Sequence, residues 1–186
     1  MKKEIRILGI DDAPFIRKQK KKVLVVGTIF RGGHFMDGVI STHVVLDGTD
    51  ATEKLVALVR KTKHKPQLQA IMLNGISMGG FNIIDINKLR EKTKLPVIVV
   101  IRKYPDFKKI RAALIKIGFK NRIQLLDKAG AVHKIGKVYV QLAGISLSAA
   151  AELIRITSTH AHIPEPIRAA HLIASGIVDG ESRGGA

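Results

Sequence analysis

The sequence predicts an α/β fold built on one mixed sheet: three antiparallel strands, then parallel strands, with helices on both faces. Two observations carry this. The first 47 residues hold three strand-like runs joined by short loops, the pattern of an antiparallel meander. Beyond them, apolar strand-like runs alternate with amphipathic helical runs, which lays strands side by side under a cover of helices. A length of 186 residues fits one domain and can bury a core without disulfides or structural metals.

Residues 5–11 read as a short buried strand that ends in acids. Residues 22–31 and 38–47 are rich in Val, Ile and Thr, and Gly32-Gly33 breaks the chain between them. Asp50 reads as a helix N-cap, and Leu55, Val56, Leu58 and Val59 form the apolar stripe of a helix running to about Thr62. A strand at 69–73, a helix at 83–93, an apolar strand at 96–101 and a helix at 106–117 closed by Gly118 follow. Residues 137–142 form another strand, paired with 131–134 across Ile135-Gly136. Residues 147–156 form a helix. A last helix spans 166–175, with Pro166 at its first position and Gly176 just past its end. From about residue 179 the chain is small and polar (DGESRGGA) and reads as a mobile tail.

Composition narrows the partners. Thirty-two lysines and arginines against 15 acids give a formal charge of +17. So large an excess favours a polyanion, because neutralising phosphates releases counterions. Heat-adapted proteins are often lysine-rich as well, but they gain glutamate with it, and this chain has not. The expected partner is nucleic acid, DNA or RNA. With no cysteine, neither a disulfide framework nor a cysteine metal site is possible. No apolar run reaches the roughly 18 residues of a membrane span. The apolar stretch at 5–10 is too short for a signal peptide and is broken by Arg6, so a cytoplasmic protein without a membrane partner is expected. Aromatic residues make up 4% of the chain, which argues against single-strand binding on base-stacking platforms. No Walker motif, zinc-ligand cluster or GxSxG elbow is present.

Chemistry is expected where the strands end. Asp11 and Asp12 close the first strand, Asp47 closes the third, Asp50 follows after a Gly-Thr turn, and Asn74 closes the fourth. Acids on neighbouring strand ends can converge on a magnesium ion, which demands oxygen ligands and keeps several waters. Asp at a strand end is also a common turn former, and Asp50 alone is more often only a cap. His171 and Arg168 lie three residues apart on the last helix and can share a face; a lone helical His is more often packed or solvated. Lys103, beside Arg102 after the apolar strand, stands where a cation can hold a scissile phosphate, or is a solvated strand end. The run RKQKKK at 17–22 offers Lys20, Lys21 and Lys22 as phosphate contacts, with a solvated loop as the plain alternative. His160 and His162 are spaced for a strand-borne metal pair but fall in a loop.

Several stretches are similar to endonuclease V. The segment VYVQLAGISLSAAAELI at 138–154 resembles that family's strand–turn–helix before its last motif. PEPIRAAH at 164–171 resembles its Pro-Glu-Pro-x-Arg stretch, which ends in an acid or histidine at the active site. GID at 9–11 matches its first catalytic strand, and PQLQAIMLNGISMGG at 66–80 looks like its strand carrying an Asp-Gly pair. A closer resemblance, over essentially the whole chain, is to an uncharacterised, mainly archaeal family related to endonuclease V. It rests on LDGTDAT at 46–52, GGFNIIDI at 79–86 and SGIVDGESRG at 175–184.

The resemblance implies a ribonuclease H-like fold and a site that uses Mg²⁺ or Mn²⁺. Asp11 would be the central metal ligand, His171 the last active-site residue and Lys103 the family's basic residue after the fifth strand. Asn74 replaces the expected Asp. The family's glutamate has no clear counterpart; Asp47, Asp50 and Glu53 are candidates, with Asp47 preferred for its place at a strand end. The base-prying wedge of endonuclease V is not recognisable, so inosine specificity does not follow. Two readings stay open: a magnesium- or manganese-dependent nuclease acting on DNA or RNA, and a non-catalytic nucleic-acid-binding protein with a degenerate site.

Overall fold

The computed structural model describes residues 4–16 and 21–182. The elements in chain order are β1 (Arg6–Asp12), β2 (Lys22–Arg31), β3 (Phe35–Val45), α1 (Ala51–Lys61), β4 (Leu68–Asn74), α2 (Ile86–Thr93), β5 (Val97–Ile101), α3 (Phe107–Lys116), α4 (Ile123–Lys128), β6 (His133–Ile135), β7 (Val138–Ala143), α5 (Leu147–Thr157) and α6 (Glu165–Asp179). The seven strands form one sheet in the order β3-β2-β1-β4-β5-β7-β6. β1, β2 and β3 pair antiparallel, as the short loops between them require. β1, β4 and β5 pair parallel, and the hairpin β6–β7 is added antiparallel on β5.

Strand periodicity divides the core into two layers. On one face Leu8, Ile10, Val25, Ile71, Leu73, Val97 and Val99 are buried beneath Leu55 and Val59 of α1 and Leu89 of α2. On the other, Ile7, Ala70, Met72, Ile98 and Val100 are buried against Leu153 of α5 and Ile167 of α6. These central strands are covered on both sides, so they read in sequence as continuous apolar runs rather than alternating ones.

Three boundaries differ from the sequence expectation by three residues or more. β3 begins at Phe35 rather than 38, because its register against β2 carries past a bulge to Arg31↔Phe35. α2 begins at Ile86 rather than 83, because Ser77 and Ile83 bridge a loop that ends at Asp85, whose carboxylate caps the helix by accepting from Lys88 N–H. α6 passes through Gly176 and stops at Gly180, the residue with the left-handed φ of +78°. A helix tolerates an internal glycine at a cost of about 1 kcal/mol, and here Ile173 and Val178 on either side of it are packed against the core. The tail expected from about residue 179 thus begins at the helix end, and its last four residues, 183–186, lie outside the described residues. α4 has no counterpart in the sequence reading; its six residues are too few to show a helical period.

The seating of α6 on β1 decides where the last helix can place its side chains. Gly9 has no Cβ, and one built there would lie 2.2 Å from the carbonyl carbon of Pro166 and 2.5 Å from Ile167 N, both backbone atoms. The Thr28 hydroxyl on β2 donates to the Pro166 carbonyl at 2.6 Å, within the buried interior. Gly9→Ala is therefore expected to lower stability by about 1–3 kcal/mol, or about 2–12 °C in Tm by thermal denaturation. Gly176→Ala on the same helix meets only Ser182 N at 3.9 Å, so it should hold stability or raise it by up to about 1 kcal/mol.

Candidate active site

Asp11 and Asn74 are brought together by register. Ile10 pairs with Leu73 across the parallel β1–β4 ladder, and Asp11 and Asn74 are the next pair along. Both follow Ile7, Gly9, Ala70 and Met72 in the period-2 alternation, so both side chains face α6. From α6, His171 reaches down to the same point. Its Nδ1–H donates to Asp11 Oδ2 at 2.8 Å, and Asn74 Nδ2 donates to that oxygen at 3.0 Å. Asp11 Oδ1 accepts the backbone N–H of Asp12 at 2.9 Å. Asp11 is only 3% exposed, and these donors are what make burial of its charge tolerable.

The cluster forms the floor of an open pocket of 590 Å³. Phe15 after β1 and Arg102 and Lys103 after β5 line its walls. Lys103, for which the sequence left open a phosphate-holding cation or a solvated strand end, lines this pocket together with Arg102. Asp12 lines the pocket as well. Its carboxylate accepts the Gly79 N–H at 2.8 Å, and its pKa is pushed up to about 6 by burial and by the Asp11 charge, with the Gly79 hydrogen bond opposing. His171 is raised above the usual imidazole value by the Asp11 hydrogen bond, against the opposing effect of burial.

Both shifts have the same sense for stability. In the absence of a bound cation the folded state holds extra protons on both groups. The Asp12 contribution is present below its ordinary 3.8 and is lost as pH rises through about 6. That of His171 is present below 6.5 and is lost as pH rises through its higher folded value.

A model of the Endonuclease dU family matches residues 3–178. The chain belongs to that family. Among its relatives is a UPF0215 protein of Methanothermobacter thermautotrophicus, 52% identical, covering 100% of this chain and 94% of the relative. A crystal structure of a protein of unknown function from Archaeoglobus fulgidus superimposes with a TM-score of 0.87 at 39% identity, over 93% of this chain and 98% of that one. Ciona intestinalis endonuclease V, solved with a 24-mer DNA containing an inosine followed by a ribo-adenosine, matches at a TM-score of 0.56 and 16% identity, over 89% and 82% of the two chains. At that identity the likeness speaks for the fold, which is ribonuclease H-like. As a member of the Endonuclease dU family, the chain is a nuclease-like protein.

The remaining residues singled out by the sequence lie elsewhere in this Endonuclease dU fold. Asp47 and Asp50, expected beside Asp11, are not in the cluster. β2 separates β3 from β1, and the chain leaves β3 through Asp47 in a left-handed turn, φ +52°. Asp47 Oδ1 accepts Phe81 N–H at 2.8 Å, while Asp50 Oδ1 accepts Val45 N–H at 3.0 Å and Asn82 Nδ2 at 2.7 Å. Glu53 pairs with Lys88. Arg168 pairs with Glu165 at 2.8 Å, and the carboxylate of Glu165 also accepts His160 N–H at 3.1 Å. His162 faces Lys137. Lys21 and Lys22 are exposed at the start of β2, and Lys20 lies outside the described residues. No helix among the described residues is long and apolar enough to cross a membrane.

Whether the site suits a divalent cation follows from its donors. Among the described residues no group of three or more His, Asp or Glu side chains is arranged as a metal cage. Asp11 supplies one carboxylate, and Asn74 supplies an amide oxygen once its amide is turned, since the O and N of an amide are assigned from their partners. That set is lean but fits magnesium or manganese, which make do with one or two protein carboxylates and take other oxygens from water and phosphate. The protonation of His171 reports directly on this cluster. In chelator, its pKa by NMR titration should lie above 6.5 and fall toward the ordinary value in Asp11→Asn; an unchanged pKa in that variant would contradict the geometry.

Proposed function

We propose that the chain is a divalent-cation-dependent endonuclease that cuts DNA beside a deaminated base, with deoxyuridine as the first substrate. One observation carries the reading: a buried carboxylate, an amide and an imidazole converge at the floor of a pocket walled by Arg102 and Lys103. The family description supports deoxyuridine. The formal charge of +17 supports a polyanionic substrate.

The residues divide the work. Arg102 and Lys103 seat the scissile phosphate by charge-assisted contacts. Asp11 and Asn74 would hold the cation, which activates water and steadies the departing oxygen when bound. Asp11 also fixes the His171 ring by holding the proton on Nδ1. Nε2 is then the ring nitrogen left to contact the phosphate or the water, and a raised pKa keeps that nitrogen protonated to higher pH. The backbone at β1, β4 and α6 holds all three side chains on regular elements, so little reorganisation is needed when substrate arrives.

The test is strand nicking on labelled oligonucleotides carrying one deoxyuridine, one inosine or neither, as single strands and duplexes, with Mg²⁺, Mn²⁺ or EDTA. Cleavage should require the cation, favour the deoxyuridine strand and vanish in Asp11→Ala. Absence of cleavage of deoxyuridine strands with either metal at low salt, or undiminished cleavage by Asp11→Ala, would overturn the reading.

A further inference from the structure

Eight aromatic side chains, six Phe and two Tyr, occur in the chain. The average is low, but their distribution is uneven. Tyr104, Phe107 and Tyr139 gather in one cluster directly after the basic pair that walls the pocket. The Tyr104 ring meets Phe107 edge-to-face at 6.4 Å and Tyr139 edge-to-face at 5.5 Å, with interplanar angles of 89° and 82°. Tyr139 is held in the sheet opposite Ile101 on β5, and Phe107 opens α3. Tyr104 nevertheless remains 61% exposed.

Such a ring is costly to explain as core. It buries little of its own surface, yet two neighbours fix its orientation. Charge around it is basic: Arg102 and Lys103 precede it, Lys108 and Lys109 follow on α3, and Lys134 stands across from Tyr139 on β6. The nearby acid, Asp106, is engaged as the α3 cap, accepting Lys109 N–H at 3.0 Å. A rigid exposed ring in a basic surround is what an unpaired nucleic acid strand binds: phosphates take the cations, and a base lies on the ring whatever its identity. Lys103 lines the pocket, and Tyr104 is one residue further, about 3.8 Å along the backbone.

We propose that Tyr104 is a stacking platform for an unpaired nucleobase of the strand whose phosphate lies on Arg102 and Lys103. The proposal rests on the reading of the pocket as the place of strand cleavage, and it adds that the strand is locally unpaired there. Because Phe107 and Tyr139 already restrain the ring, stacking costs little side-chain freedom. The platform reads no hydrogen-bonding edge, so it favours unpaired over paired strands rather than one base over another.

The experiment is equilibrium binding in EDTA, without cleavage, of a fluorescent single-stranded oligo-dT and a duplex of equal length over a salt series. Tyr104→Ala should weaken single-strand binding by about 5- to 150-fold. It should leave duplex binding and the salt slope as in wild type, while Tyr104→Phe should bind like wild type. Tyr104→Trp places the only tryptophan in the chain at this position, and its emission should be quenched by the single strand. Wild-type single-strand affinity in Tyr104→Ala, equal loss on both ligands, or tryptophan emission left unquenched in Tyr104→Trp at saturation would each overturn the proposal. Cleavage by wild type alongside unaltered Tyr104→Ala binding would sink the platform and leave the nuclease reading intact; the converse pattern would do the opposite.

Discussion

The bare Cα of Gly9 is the constraint on which the site depends. It lets the start of α6 press its backbone onto β1 at a separation no side chain would permit. That close seating, fixed from the neighbouring strand by the Thr28–Pro166 hydrogen bond, sets the height at which α6 runs over the sheet. His171 lies less than two turns beyond Pro166, so its reach to Asp11 is inherited from this contact. The burial of Asp11 follows in turn. A carboxylate this enclosed is stable only with donors around it, and its side-chain donors come from β4 and α6. Three elements distant in sequence are thereby tied at one oxygen pair.

A second joint holds the same end of the sheet and accounts for residues whose pattern looked catalytic. The stretches at 46–52 and 79–86 interlock. Asp47 N–H donates to the Gly79 carbonyl, Gly79 N–H donates to Asp12, Asn82 joins Val45, Asp50 and Ala51, and Thr52 accepts from Asp85 N–H. Arg122 closes the joint by donating to the carbonyls of Phe81 and Asp47 at 2.7 Å each, beneath the Phe119 ring. These acids are spent on backbone N–H groups and an amide rather than turned to the pocket. The joint still serves the site, because Gly79 holds the Asp12 carboxylate against the far face of β1 from Asp11.

The strand order of the first half was legible because its signals are local: apolar runs, Gly-Gly between β2 and β3, Asp before α1. Asp11, Asn74, His171 and Lys103 were legible as a set through the order of motifs and the resemblance they carry. Their convergence needed register, which no single strand reveals. Asp47 misled for the same reason, since a strand-end acid looks identical whether it faces the neighbouring strand or a loop folded against it. Tyr104 was hidden by averaging: a composition of 4% aromatics says nothing of three rings meeting at one place. Gly176 looked like a helix end because glycine is common there; packing of Ile173 and Val178 outweighed its low propensity.

Cation binding and strand cleavage at the Asp11–Asn74 pair, as proposed above, are tested most directly at position 74. Asn74 now donates to Asp11; an Asp in its place would set two carboxylates face to face, a pair that repels without a cation and binds one more tightly. Calorimetric titration of Mn²⁺ should show Asn74→Asp binding about tenfold or more tighter than wild type, a modest share of the roughly 4 kcal/mol a charge contributes at about 4 Å near a protein surface. Asp11→Ala in the same background should remove the gain. Equal Mn²⁺ affinity in wild type, Asn74→Asp and the double variant would place the cation elsewhere and contradict the account.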